Sequence, residues 1–268
     1  MEKDFKNISE LLFNQLNKEE DLILSFSGEN SQFIRFNNAS VRQTGLVDDA
    51  EIELKFMANN RISNGGFTIS GNEDIDYQRG KDEISRLRRE VKELPEDPFV
   101  VLPKNLGSSV EKKSSNGLKF EDSVDTILSV MSDVDFVGIF CNGKMFRGNA
   151  NSKGQNHWFE TDTFSLDYSL VTPGHQMVKG SFSGNDWNQK DYEEYVDRSK
   201  EKLSLMERKP IKIKTGDYRT WFESAAVSDF LSMFSWNGIS EASLRQGCSG
   251  FGKMRHNDIR LSPKFSIT

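Results

Sequence analysis

The sequence is poor in the residues that build rigid frameworks and metal centres. Two cysteines occur in 268 residues, Cys141 and Cys248. They lie too far apart in the chain for a paired-cysteine metal knuckle, and two thiols make no disulfide framework. This usage fits small buried hydrophobes or modestly exposed thiols in a reducing compartment. No stretch reaches the ~20 apolar residues of a membrane span. The N-terminal MEKDFKNISE has no apolar signal core. A soluble, cytoplasmic protein is the expectation. Positive charge is not in excess either: the formal net charge is -6, which argues against a nucleic-acid or anionic-membrane partner. A chain this long buries enough surface to fold without staples.

What is present is periodic apolar patterning. Phe5, Ile8, Leu12 and Leu16 recur at helical spacing, widened by Leu11 and Phe13. Leu22, Leu24 and Phe26 then alternate as in a strand. QFIRFNNASVRQ reads as a hairpin broken at Asn37-Asn38, because asparagine tolerates the left-handed backbone of a tight turn. Ile52, Leu54 and Phe56 alternate with charged neighbours. A further turn is expected at Asn64-Gly65-Gly66, closing an antiparallel meander with one wet face. A polar helix starts near Asn72, with Ile84, Leu87, Val91 and Leu94 on one side, and Pro95 ends it. Its charge run DEISRLRREVKE reads as a solvated face. Segment 95–118 holds three of the six prolines and reads as a surface crossing or loop.

The second half repeats this order. Val124, Ile127, Leu128 and Met131 mark a helix, and VDFVGIF marks a buried strand. Asn142-Gly143 is the strongest hairpin signal in the chain. Trp158, Phe164, Leu166, Tyr168 and Leu170 share one parity of a long strand. Pro173-Gly174 turns the chain into MVKGSFSG. Tyr192, Tyr195, Val196, Ser199 and Leu203 mark an amphipathic helix. The fold class read from this order is α+β: an N-terminal domain over 1–208 with a large antiparallel or mixed sheet and flanking helices. An internal duplication would give the same order, but the two halves are too dissimilar in sequence to settle it. Residues 209–268 have a different texture. KPIKIKTGDYRTWFES reads as a linker strand, Val227, Phe230, Leu231 and Phe234 as a helix, and Ser240 as the cap of a short helix stopping at Gly247. The closing LSPKFSIT is strand-like. This region reads as the beginning of a second domain rather than the whole of one.

Signatures of chemistry are sparse. No His-Glu-x-x-His and no Gly-x-Ser-x-Gly elbow occurs. His157 and Glu160 stand three apart on a strand, an odd spacing that sends them to opposite faces. His175 lies in the Pro-Gly turn and His256 in the polar loop KMRHND. Cys248, in GCSGFGK, precedes His256 by eight residues, so a cysteine–histidine pair is conceivable. GCSGFGK itself lacks the end of a phosphate loop and reads as a turn. GNANSKGQNHWFETDTF, rich in Asn, Gly and aromatics, reads as a hairpin rim or a binding segment. Trp221, Phe222, Phe230, Phe234 and Trp236 form an aromatic concentration that reads first as core, then as a subunit interface, then as a ligand site.

These same stretches, taken in order, resemble the TldD/PmbA peptidase family. FIRFNNASVRQTGLVDDAEIELKFMANNR is similar to the family's early signature through Arg35, Phe36, Asn37, Gln43 and Arg61. FRGNANSKGQNHWFETDTFSLDYSL is similar to its mid-domain strand pair. GDYRTWFESAAVSDFLSMFSWNGISEASLRQGCSGF and LSPKFSIT are similar to the opening of its C-terminal domain. The resemblance implies a mixed α/β N-terminal domain, here 1–208, followed by the incomplete start, 209–268, of a β-rich domain. It implies a cytoplasmic heterodimeric metalloprotease acting on unfolded or small peptides, in which one subunit type carries zinc on a His-Glu-x-x-x-His helix. Where that helix falls, this chain has ESAAVSDFLSMF. The resemblance is therefore to the zinc-less, PmbA-like (TldE-like) type. No catalytic, cofactor-binding or metal residue carries over, and zinc is expected in a TldD-like partner. Because family members continue well past LSPKFSIT, a fragment or truncation is expected, with exposed strand edges and apolar surface.

The expected function is thus a non-catalytic subunit that helps to hold an extended peptide by strand addition at a sheet edge. A hydrolase using Cys248 and a structural or interaction protein without a proteolytic role are the alternatives.

Overall fold

The structure, a computed structural model, describes residues 1–131, 133–256 and 259–266. Asn257 and Asp258 of the KMRHND loop and the last two residues of LSPKFSIT lie outside the described residues. The chain divides into two compact units, Met1–Lys209 and Pro210–Thr268.

The first unit is one large sheet with helices on one face. Helix α1 (Glu2–Phe13) buries Phe5, Ile8 and Leu12, and its acidic first turn, Glu2 and Asp4, suits the positive helix end. Strands β1 (Glu20–Asn37), β2 (Ser40–Ala58) and β3 (Arg61–Thr68) form an antiparallel meander. Two-residue turns join them at Asn38-Ala39 and Asn59-Asn60, all four residues having positive φ, as hairpins whose twist matches their strands require. Helix α2 (Glu73–Glu90) follows, with the Asn72 side chain accepting the N–H of Ile75. After the extended crossing comes the short strand β4 (Ser108–Lys113). Helix α3 (Phe120–Leu128), strands β5 (Asp135–Asn151), β6 (Asn156–Val171) and β7 (Met177–Gly184), and helix α4 (Gln189–Met206) complete the unit.

The strand order is β3-β2-β1-β5-β6, and β6 carries two short strands along its far edge. β4 lies parallel to residues 156–161, and β7 antiparallel to 164–171. The α+β class with a large, mostly antiparallel sheet is as the sequence predicts. Register places even-numbered residues of β1, β2, β5, β6 and β7 against the helices. Two cores result. One holds Phe5, Leu12, Phe26, Ile52, Leu87 and Trp158; the other holds Ile34, Phe36, Phe136, Phe140, Tyr168 and Tyr192.

Two turn expectations are corrected. Asn64, Gly65 and Gly66 lie inside β3, paired with Lys55, Leu54 and Glu53; the turn sits five residues earlier, at Asn59-Asn60. Asn142-Gly143 makes no hairpin either. Both lie within β5, opposite Gln32 and Ser31 of β1 and Phe164 and Thr163 of β6. Gly143 has φ 153°, and a Cβ there would stand 2.4 Å from the Asn30 carbonyl oxygen and from Ser31 Cα. The glycine is required by close approach of β1, not by a turn.

The second unit holds short helices: α5 (Ser224–Met233), running into a π turn over Phe234–Gly238, α6 (Glu241–Arg245) and α7 (Gly252–Arg255). Ser240 caps α6 through the N–H of Ser243, and Gly247 follows it with φ 73°. Among the described residues of this unit no strand forms, neither over KPIKIKTGDYRTWFES nor over LSPKFS. The aromatic concentration is not a core. Trp221 and Trp236 are 88% and 84% exposed, because a few short helices have too little surface to cover such rings. Edge-on contacts between Phe222 and Phe230 and between Phe234 and Phe251 hold the remainder.

Two outcomes are expected. Trp158, 2% exposed, packs on Phe5, Phe26 and Phe146 with ring centres 5.3–6.0 Å away. Trp158→Ala should therefore cost about 3–5 kcal/mol of unfolding free energy by chemical denaturation, and a loss under 1 kcal/mol (~fivefold) would contradict this packing. Burial holds the Tyr168 phenol protonated and pushes its pKa up to about 12, and it pushes Tyr192 upwards too. Both favour the neutral form in the fold, so their contribution is complete below pH ~10, the unfolded value, and is lost as pH rises from there towards 12. The urea midpoint should fall across that window, and less steeply in the Tyr168→Phe, Tyr192→Phe double variant. Equal slopes would refute the assignment.

Candidate functional site

One face of the large sheet is covered by helices; the other is open, and its odd-numbered positions are mostly small and polar. Across β1, β5, β6 and β7 they form a trough of about 490 Å³. Glu29 and Ser31 come from β1, Cys141, Gly143 and Met145 from β5, Thr163 and Ser165 from β6, and Ser183 from β7. Register explains the hollow. Ser31, Gly143 and Thr163 stand side by side on neighbouring strands, so the middle of the trough has a glycine flanked by two short side chains. A second hollow of about 210 Å³ shares Glu29 and Met145 and extends the trough to Ser27, Asp49, Glu51 and Arg147.

Hydroxyls and carboxylates dominate its hydrogen bonding. Ser31 Oγ donates to Glu29 at 2.7 Å, and Ser27 Oγ donates to Glu51 at 3.1 Å. At the β7 end, Asn185 Nδ2 donates to Thr161 Oγ1 and to the Asp162 carbonyl. Burial pushes the Cys141 thiol above its ordinary pKa, and the Glu29 and Asp167 carboxylates push it further. A thiol held neutral is a poor nucleophile. The chemistry available here is hydrogen bonding and charge.

The histidines stand apart. His157 Nδ1 is hydrogen-bonded to Ser109 Oγ at 2.8 Å, while Glu160 faces the other way and accepts from Trp158 Nε1, as strand parity predicts. His175 has φ 62° in the turn after β6 and lines a hollow of about 570 Å³ with Asp133, Asp135, Lys200 and Glu207. There Lys200 Nζ meets Asp133 at 2.6 Å and holds that carboxyl below its ordinary pKa. In the second unit Cys248 is exposed, and its thiol lies 3.7 Å from the Gln246 carbonyl. No hydrogen bond links it to His256 among the described residues. GCSGFGK is a turn, in which Ser249 Oγ donates to the Gly238 carbonyl. Among the described residues no group of three or more His, Cys, Asp and Glu could hold a metal ion, and no helix is long and apolar enough to cross a membrane.

Sequence reasoning missed the trough. Its residues come from positions 29 to 183 and meet only through register. The signal that existed was the run of small hydroxyl residues at odd positions: Ser25, Ser27 and Ser31, then Thr161, Thr163 and Ser165, then Ser181 and Ser183.

No family model matches the sequence, and among curated proteins none matches. Solved structures do. A candidate modulator of a DNA gyrase from Thermotoga maritima aligns with TM-score 0.66 at 17% identity, over 92% of this chain and 58% of its own. A candidate gyrase modulator from Bacteroides thetaiotaomicron aligns with TM-score 0.63 at 16% identity, over 91% and 58%. The third is TldE from Thermococcus kodakarensis, with TM-score 0.55 at 15% identity, over 75% of this chain and 47% of that one. At these identities the likeness is one of fold. The resemblance read from the sequence thus has its counterpart in structure, and the chain spans about half to three-fifths of the length of these proteins.

The two thiols give a direct check on this geometry. Cys248 is exposed, whereas Cys141 is half-buried with a raised pKa. Iodoacetamide near neutral pH, followed by peptide mass spectrometry, should modify Cys248 well before Cys141. Equal rates would contradict the placement of Cys141 in the trough.

Proposed function

We propose that this chain is the zinc-less, TldE-like subunit of a cytoplasmic metallopeptidase pair, holding an extended, unfolded peptide while a TldD-like partner bearing the zinc cuts it. The observation that carries this reading is the fold shared with TldE from Thermococcus kodakarensis. Two features support it. The segment where a zinc helix is expected forms α5, whose side chains are those of SAAVSDFLSM, with Asp229 as the lone carboxylate. The open sheet face offers a trough of binding groups and a thiol kept neutral. On this reading the boundary near 208 separates the peptide-holding N-terminal domain from the start of a C-terminal one.

Cleavage of an unstructured peptide tests it. This chain alone should be inactive, whereas its mixture with the metal-bearing family member from the same source should cut, and chelator should stop it. Cleavage by this chain alone that survives chelator would defeat the proposal, and Cys248→Ala would then show whether that thiol is responsible.

A further inference from the structure

We infer that the trough on the open sheet face is a subsite for an extended peptide segment bearing basic side chains, read by Glu29, Asp49 and Glu51. The inference rests on the peptide-holding reading above and deepens it.

Shape comes first. Strands lie about 4.8 Å apart, so a floor crossing four of them spans about 15 Å, the length of four to five extended residues. Gly143, flanked by Ser31 and Thr163, keeps that floor low, and no Cβ can be added at Gly143 without meeting β1. The floor therefore accepts a backbone and its side chains without rearrangement.

Charge then selects the occupant. Several carboxylates of this unit have cationic partners: Glu20 with Arg88, Glu83 with Arg86, and Glu160 with Lys112 and Lys144. The three carboxylates at the β2 end of the trough differ. Among the described residues none of them is in an ion pair. Glu29 and Glu51 accept from serine hydroxyls, and no hydrogen bond engages the Asp49 side chain. Arg147 lines the same hollow but donates to the Phe146 carbonyl. Three carboxylates against one engaged cation leave a net negative field over a concave surface, where charge selects more strongly than on a convex one. An extended peptide with lysine or arginine side chains supplies the missing cations, and its backbone finds hydroxyls on β6 and β7.

Fluorescence anisotropy with the full chain tests this. The probes are three labelled, unstructured Gly/Ser-based peptides of equal length, carrying lysines, glutamates or neither. The lysine peptide should bind about tenfold more tightly than the glutamate peptide at low salt, the modest preference that exposed charge contacts give. Glu29→Gln, Asp49→Asn and Glu51→Gln together should abolish the preference. Glu10→Gln, Glu194→Gln and Glu201→Gln, which change net charge equally but lie on α1 and α4, should leave it. Ser183→Trp, at an exposed position, should weaken all three peptides by filling the trough. Equal binding of the three peptides, or a preference that survives the trough variant or disappears in the helix variant, would overturn this subsite and leave peptide holding in place. Absence of binding by any peptide would overturn both.

Discussion

The antiparallel pairing of β1 with β5 joins everything else in the first unit. It runs from Ile23 opposite Asn151 to Phe36 opposite Gly138, and each strand is also the first of its own meander. Because even-numbered residues of β1 meet even-numbered residues of β5, one continuous face turns apolar and receives all four helices. A slip of one residue would put Phe136 and Phe140 on the wet face and Cys141 in the core. The joint is also where the two cores part. Gln32 and Asn142 stand opposite each other on the helix-covered face, and their side-chain oxygens are buried without a protein partner. The polar seam separates an aromatic cluster around Trp158 from another around Tyr192.

Local periodicity carried much of this fold into the sequence. The apolar spacing of α1, α2, α3 and α4 and the even parity from Trp158 to Leu170 are decided by burial on one face, and burial is what periodicity reports. The strand lengths were not legible. β1 contains Gly28, Glu29 and Asn30, which look like a break and in fact lie over the seam and the trough. Turn chemistry misled for the same reason. Asn-Gly marks a hairpin where strands must reverse, yet at Gly143 the small residue answers a neighbouring strand 2.4 Å from where its Cβ would be. Nothing within a few residues of Gly143 encodes that neighbour. β4 was lost in a Pro-rich stretch because its pairing partner is 48 residues away.

The candidate site was less legible than the fold. Catalytic signatures are short and local, and here they are lacking. The trough is assembled from four strands spread over more than half the chain, and each contributes residues that look like ordinary wet-face polarity. Resemblance to a family directed attention to peptides without pointing to any residue. The second unit shows the converse: its aromatics are obvious in sequence, yet Trp221 and Trp236 stay exposed.

Where a peptide can lie is constrained further by the sheet edges. The outer edge of β3 is occupied by α2: Glu83 accepts the N–H of Gly66, Arg79 donates to the Thr68 carbonyl, and Arg86 donates to the Asn64 carbonyl. A Cβ on Gly65 would fall 1.9 Å from Glu83, so even the absence of a side chain there serves the helix. At the opposite edge the Tyr195 hydroxyl accepts the N–H of Ser181 on β7, and the adjoining strand β4 carries Lys112 and Lys113, residues that discourage pairing along an exposed edge. Strand addition, the route expected from the sheet-rich sequence and the family resemblance, is thus blocked on one side and guarded on the other. The face is not. Helix α2, which closes the β3 edge, packs on the apolar side with α1, α3 and α4, so the groups free to meet a ligand over a wide area are the hydroxyls and carboxylates of the open side. The same alternation that builds the two cores on one side of β1 and β5 places the polar trough on the other.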